Sequence, residues 1–209
     1  MALTLVERPP AGPTERILLL LPGYGDGPDT LVTLVDRLDP EQRWHVAVAR
    51  PPLRTPDGPA WFTVTEAGPD PAELAASVAS IDRTIARLLE QCELAAGRAV
   101  LGGYSQGGAA ALAAALDPTV VARPGAVAAL AAYLPHRDTD QDPALAAGVP
   151  VLVAHGEEDE VVDPILGRSA ARVLERAGAA VTWRRVPGDH RPGAALVDVL
   201  RDWLADRAV

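Results

Sequence analysis

Residues 99–112 read Ala99-Val100-Leu101-Gly102-Gly103-Tyr104-Ser105-Gln106-Gly107-Gly108-Ala109-Ala110-Ala111-Leu112, and this stretch decides the fold. Ala99 to Tyr104 is an apolar run of strand length, and Gln106 to Leu116 is an Ala-rich segment of high helix propensity. Between them, Gly103-Tyr104-Ser105-Gln106-Gly107 fits G-x-S-x-G at the place where a strand turns sharply into a helix. A residue at the apex of that turn takes a strained backbone conformation, and side chains two positions away on either side would collide. Glycine is therefore required at Gly103 and Gly107, and Gly108 gives further room for helix and strand to approach. The Ser105 oxygen projects from the turn beside the first N–H groups of the helix, which have no intrahelical acceptor and are free to hold a developing negative charge. The pattern predicts Ser105 as a nucleophile.

Outward from this turn, apolar runs of strand length alternate with segments of helical period. Strands are predicted at Ile17 to Leu21, Trp44 to Ala49, Ala126 to Ala131, Val149 to Ala154 and Ala179 to Val186. Helices are predicted through about Leu38, over Ile165 to Ala177 and over Pro192 to Arg207. The longest helix begins where Asp70 caps, Pro71 suits the first turn and Glu73 has capping-box spacing. Leu74, Val78, Ile81, Ile85, Leu88 and Cys92 then recur at helical spacing as one buried face. Such alternation builds an α/β architecture, a mostly parallel central sheet with helices on both faces. The 209 residues fit a single domain spanning residues 1–209. The proline-rich segment from Arg50 to Pro69 is too irregular for a regular element and too apolar for a linker, so it is expected to fold against the core or over a pocket.

A serine hydroxyl needs a base, and in this chain order the base follows an acid that itself follows the serine. His45 lies inside a predicted strand upstream, His136 precedes any acid loop, and His155 ends a strand and is expected to shape the next turn. His190, in the loop between the last strand and the last helix, is the predicted base. Carboxylates after the strand at Val149 to Ala154 include Glu158, Asp159 and Asp163; Asp159 is preferred, although spacing alone leaves the other two open. Asp189 is disfavoured because adjacent residues rarely face one another. The loop Leu21-Pro22-Gly23-Tyr24-Gly25-Asp26-Gly27 is placed to supply a second oxyanion donor; its glycines match neither the P-loop nor the dinucleotide pattern. The histidines lack metal-ligand spacing.

The formal charge of −9 disfavours nucleic acid and anionic membrane surfaces, leaving a neutral or cationic small molecule as the fitting substrate. All 19 basic residues are arginine, which carries no mechanistic weight. The one cysteine, Cys92, has no internal disulfide partner, no leader pattern is seen, and Ile17 to Leu21 is too short to span a bilayer, so cytoplasmic residence is the expectation. Oligomeric state is not legible.

Several separated blocks resemble the phospholipase/carboxylesterase family that includes the acyl-protein thioesterases. Leu21-Pro22-Gly23-Tyr24-Gly25-Asp26 resembles its L-H-G-x-G-D loop, and Ala60-Trp61-Phe62 its tryptophan loop. Gly103 to Gly108 resembles its G-F-S-Q-G-G elbow, and His155-Gly156 with Asp159 and Val162 its H-G-x-x-D-x-x-V acid loop. Pro22 stands where the family usually has His, Thr63 where Asp often follows the aromatic pair, and Arg191-Pro192 follow the base. The resemblance implies an α/β-hydrolase fold and cofactor-free hydrolysis of esters or thioesters. It assigns Ser105 as nucleophile, Asp159 as acid, His190 as base, and the N–H groups of Tyr24 and Gln106 as oxyanion donors. Trp61 and Phe62 are expected either to line an apolar acyl pocket or to pack in the core. An acyltransferase using the same acyl-enzyme, and a non-catalytic binding protein on the same scaffold, are the competing functions.

Overall fold

The computed structural model describes residues 1–135 and 142–207. Within them the central sheet has seven strands: β1 (Leu5–Arg8), β2 (Ile17–Leu21), β3 (His45–Ala49), β4 (Ala99–Tyr104), β5 (Ala126–Leu130), β6 (Pro150–Gly156) and β7 (Ala180–Val186). Their spatial order is β1-β3-β2-β4-β5-β6-β7, and every neighbouring pair is parallel except β1 with β3. The helices are α1 (Asp29–Val32), α2 (Val35–Leu38), α3 (Pro71–Gln91), α4 (Gln106–Leu116), α5 (Pro164–Arg176) and α6 (Ala194–Ala205).

Because both faces are covered, the inner strands β2 to β6 are almost wholly buried, and alternate residues enter opposite cores. Ile17, Leu19 and Leu21 of β2 enter the same core as α3, α4 and α5, whereas Leu18 and Leu20 enter the core shared with α1, α2 and α6. Strand order reverses between β2 and β4, since β3 lies on one side of β2 and β4 on the other. That reversal opens a crevice at the carboxyl ends of β2 and β4, where ligands of open parallel sheets bind. The loop after β2 and the turn at Ser105 flank it.

Helix α4 is buried at all eleven of its positions. Its glycines and alanines let it lie almost on the sheet. A Cβ at Gly107 would run into the carbonyl oxygens of Leu21 and Pro22, and one at Gly108 would stand 2.6 Å from the Ala132 Cβ. A helix this slender leaves volume beside it, and aromatic side chains from the proline-rich segment fill that volume. Trp61 and Phe62 are 0% exposed and pack with α3 and α4, which corrects the pocket-lining expectation and leaves core packing as their role.

Other departures have local causes. The proline-rich segment contains two small antiparallel pairs, Leu53–Thr55 with Gly58–Ala60 and Val64–Thr65 with Gly68–Pro69; Gly58 (φ 123°) and Gly68 (φ 105°) supply the backbone their turns require. Asp70 caps α3 by accepting from the N–H groups of Ala72 and Glu73, both at 3.0 Å, but Glu73 does not complete the capping box. The Asp70 N–H already donates to the Thr63 carbonyl, and Glu73 accepts instead from the Thr63 N–H and hydroxyl, both at 2.7 Å. Strand β1 escaped prediction because it is a short, half-exposed antiparallel edge.

Two substitutions test this packing. Trp61→Ala empties a core site and is expected to cost about 4 kcal/mol, lowering Tm in thermal unfolding by roughly 8–16 °C. Gly107→Ala sets a methyl against backbone that has nowhere to move and is expected to cost about 3 kcal/mol. Gly12→Ala, where an added Cβ meets nothing within 4 Å, serves as the control and leaves Tm unchanged.

Candidate active site

Ser105 sits between β4 and α4 at φ 53° and ψ −120°, in the left-handed region of φ that L-residues rarely adopt. The conformation is held by a hydrogen bond from the Ser105 N–H to the Leu130 carbonyl at 2.8 Å and by acceptance of the Ala109 N–H at 3.0 Å. Gly103 lies under the turn, where a Cβ would strike the backbone of Gly107.

His190 comes from the loop after β7 and Asp159 from the turn after β6. Their side chains meet Ser105 in one row: Ser105 Oγ is 2.9 Å from His190 Nε2, and His190 Nδ1 is 2.8 Å from Asp159 Oδ2. The two loops are laced together. The N–H groups of Glu157 and Glu158 donate to the carbonyls of Val186 and Gly188 at 2.8 and 3.0 Å. Gly156 is needed there because a Cβ would collide with the backbone of Gly188 and Asp189.

Asp159 is buried and fully engaged. Its Oδ1 accepts from the N–H groups of Val161 (3.0 Å) and Val162 (2.9 Å), while Oδ2 faces His190. Burial pushes its pKa up, but the hydrogen bonds from His190, Val162 and Val161 and the His190 charge outweigh that and hold it below the usual carboxylate range. The rival carboxylates are occupied elsewhere. Asp163 caps α5 through the Ile165 N–H at 2.8 Å, Asp189 turns to Arg191, and Glu158 is exposed.

The remaining histidines divide similarly. His45 pairs with Glu7 at 2.8 Å on the β1–β3 edge, and His136 lies outside the described residues. His155 is fully buried at the end of β6, with Nε2 2.8 Å from the Val162 carbonyl, so it does shape the turn that follows.

Tyr24 and Gln106 both border the cleft that contains Ser105, a cavity of about 440 Å³ shared with Thr55, Thr63, Val64 and Tyr133. Among the described residues, neither the Tyr24 nor the Gln106 N–H donates to a protein acceptor. The Gln106 side chain is engaged on the opposite side of the turn. Its Oε1 accepts the Trp61 N–H at 2.9 Å, and its Nε2 donates to the Phe62 carbonyl at 2.7 Å. The Trp61 indole N–H in turn donates to the Pro22 carbonyl at 2.8 Å, and the Gly25 N–H to the Pro59 carbonyl at 2.8 Å. Thus the glycine-rich loop after β2 and the serine turn are tied to a common anchor. Sequence reasoning found Gln106 through its N–H and missed this use of its amide.

Tyr104 was also missed, being a variable position of the motif. Its ring lies 5.3 Å from that of His190, and a Cβ on Gly23 would stand 3.2 Å from its edge, so it fills the space between the glycine-rich loop and His190. Burial, then the carboxylates of Asp159, Asp26 and Asp189, push its pKa up and keep the hydroxyl protonated. Among the described residues no three His, Cys, Asp or Glu side chains converge as a metal site, and no helix is long and apolar enough to cross a membrane.

Comparison with known proteins bears on the fold and the family. The chain is 32% identical to acyl-protein thioesterase 1 of Gibberella zeae over 143 residues, 62% of this chain; the matched stretch spans 60% of that relative. A carboxylesterase from Mesorhizobium loti is 28% identical with a TM-score of 0.78, covering 92% of this chain and 89% of its own. The Bacillus cereus carboxylesterase shares the fold at a TM-score of 0.85 and 22% identity, over 99% of this chain and 95% of its own. These neighbours establish the α/β-hydrolase fold, and the phospholipase/carboxylesterase family model matches residues 4–205. The chain therefore belongs to the phospholipase/carboxylesterase family.

Proposed function

We propose that this protein is a serine hydrolase, cleaving small carboxylic esters and thioesters through an acyl-enzyme on Ser105. The observation that carries the reading is the unbroken row from Ser105 Oγ through His190 to Asp159, opening on a cleft of about 440 Å³. Family membership supports the same class of reaction.

In the first half-reaction His190 Nε2 takes the Ser105 proton as Oγ attacks the substrate carbonyl. Asp159 accepts the Nδ1–H, which fixes the tautomer that leaves Nε2 bare and stabilises the imidazolium as it forms. The carbonyl oxygen, now carrying the negative charge, is received by the N–H groups of Tyr24 and Gln106. As the tetrahedral intermediate collapses, the proton on His190 passes to the departing alcohol or thiol, leaving the acyl group on Ser105. In the second half-reaction His190 removes a proton from water, the resulting oxygen attacks the acyl carbonyl, and Ser105 leaves with that proton. The one-domain arrangement and a cytoplasmic setting belong to the same reading, supported by the shared central sheet and the lone cysteine.

A fluorophosphonate probe read by intact mass is expected to add once to the wild type and not at all to Ser105→Ala. Turnover of p-nitrophenyl acetate by that variant is expected to fall roughly 10,000-fold or more; wild-type rates in it would sink the assignment. Asp159 also makes a stability statement. Because its folded pKa is depressed, it stabilises the fold above its unfolded value of about 3.9, and this stabilisation is lost as pH falls through the lower folded value. The Tm gap between wild type and Asp159→Asn is therefore expected to be largest near neutral pH and to shrink in more acid buffer.

A further inference from the structure

We propose that His155 is a positioning residue of this site: its Nε2–H fastens the Val162 carbonyl and faces the Asp159 carboxylate, and so governs how the acid is presented to His190. The proposal rests on the hydrolase reading above.

His155 is 0% exposed. Its Nε2 lies 2.8 Å from the Val162 carbonyl oxygen and 3.1 Å from Asp159 Oδ2. A carbonyl oxygen only accepts, so the proton resides on Nε2 and Nδ1 is bare. Nδ1 is buried and makes no hydrogen bond, and it backs on Gly167 of α5, where an added Cβ would come within 2.5 Å of it. Protonating that nitrogen would create an imidazolium with no acceptor on that side. Burial lowers the pKa of the ring despite the Val162 carbonyl and Asp159, so it stays neutral and acts as a fixed dipole.

The arrangement closes the acid turn on both sides. The Val162 N–H donates to Asp159 Oδ1 at 2.9 Å while the Val162 carbonyl accepts from His155. Asp159 Oδ2 then has two imidazoles against it, His190 Nδ1 at 2.8 Å and His155 Nε2 at 3.1 Å. Among the described residues the charged and titratable groups that bear on His155 are Asp159 and His190; α5 meets the ring with Gly167, which carries no charge. Sharing Oδ2 between two N–H groups divides the carboxylate's charge, and holding Val162 keeps that oxygen aimed at the base.

The test compares wild type with His155→Leu, which removes the N–H, and His155→Gln, whose terminal amide reaches the same carbonyl. Three quantities are read on each: kcat and KM for p-nitrophenyl acetate, the acid limb of kcat/KM, and the low-field proton resonance of the His190 Nδ1–H. For His155→Leu we expect kcat to fall roughly 10-fold to 100-fold, as for a small misplacement of reacting groups, with KM unchanged. The acid limb should move to higher pH, because Oδ2 then serves His190 alone and favours its protonated ring. The His190 resonance should shift as well, and Gln should restore all three.

A folded His155→Leu with wild-type kcat, limb and resonance would overturn the proposal. So would a loss of kcat that Gln fails to recover while limb and resonance stay put, since that pattern belongs to a packing defect. If the Leu variant does not fold, His155→Asn replaces it; its shorter amide falls short of the Val162 carbonyl, and equality of Asn with Gln overturns the proposal. Failure of the hydrolase reading looks different: wild type would neither take the fluorophosphonate nor hydrolyse ester, while the His190 resonance, which needs no turnover, would still report the effect of His155.

Discussion

The strained backbone of Ser105 is the constraint on which the functional end of this molecule depends. At φ 53° the residue sits outside the comfortable range of an L-amino acid, and nothing in serine favours it there. The surroundings impose it. The Leu130 carbonyl of β5 takes its N–H, Gly103 and Gly107 permit the chain to fold back on itself, and α4 presses against the end of β2. The same compression that strains the serine brings the start of α4 beside the loop after β2, so Gln106 and Tyr24 border one cleft. Packing and site geometry are here a single fact.

The second half of the site is built differently. Asp159 and His190 come from turns at one end of the sheet, and their backbones are hydrogen-bonded to each other before their side chains meet. The first half relies on close approach of glycine and alanine; the second relies on saturating polar groups. A carboxylate as buried as Asp159 stays charged because donors on both oxygens outweigh the cost of removing it from water.

Much of this was legible because the strongest signals are local. An apolar run, a G-x-S-x-G turn and an Ala-rich helix specify one supersecondary unit, and chain order then limits which carboxylate and which histidine can reach it. Choosing Asp159 over Asp163 was not legible from spacing. It depends on which side chain is taken by the cap of α5, a matter of one turn of backbone. Trp61 and Phe62 were ambiguous for a different reason. An aromatic pair in an irregular segment suits a pocket and a core equally, and the deciding factor is the space left by a helix of glycines and alanines. His155 and Asp159 stand four residues apart in one turn, so their nearness was legible; which ring nitrogen meets the carboxylate was not, because it depends on Gly167 of α5 closing against the other nitrogen.

The lacing of the Asp159 turn to the His190 loop ties an interior part of the sheet to its border. Strand β7 is the outer strand of the sheet and much of it faces solvent, and α6 follows directly from the loop that carries His190. Loss of that border would free the loop of His190 first, while Asp159, after the interior strand β6, and Ser105, between β4 and α4, stay backed by strands paired on both sides. The weakest point of the Ser105–His190–Asp159 row is thus its middle member, hung from the solvent-facing border of the sheet.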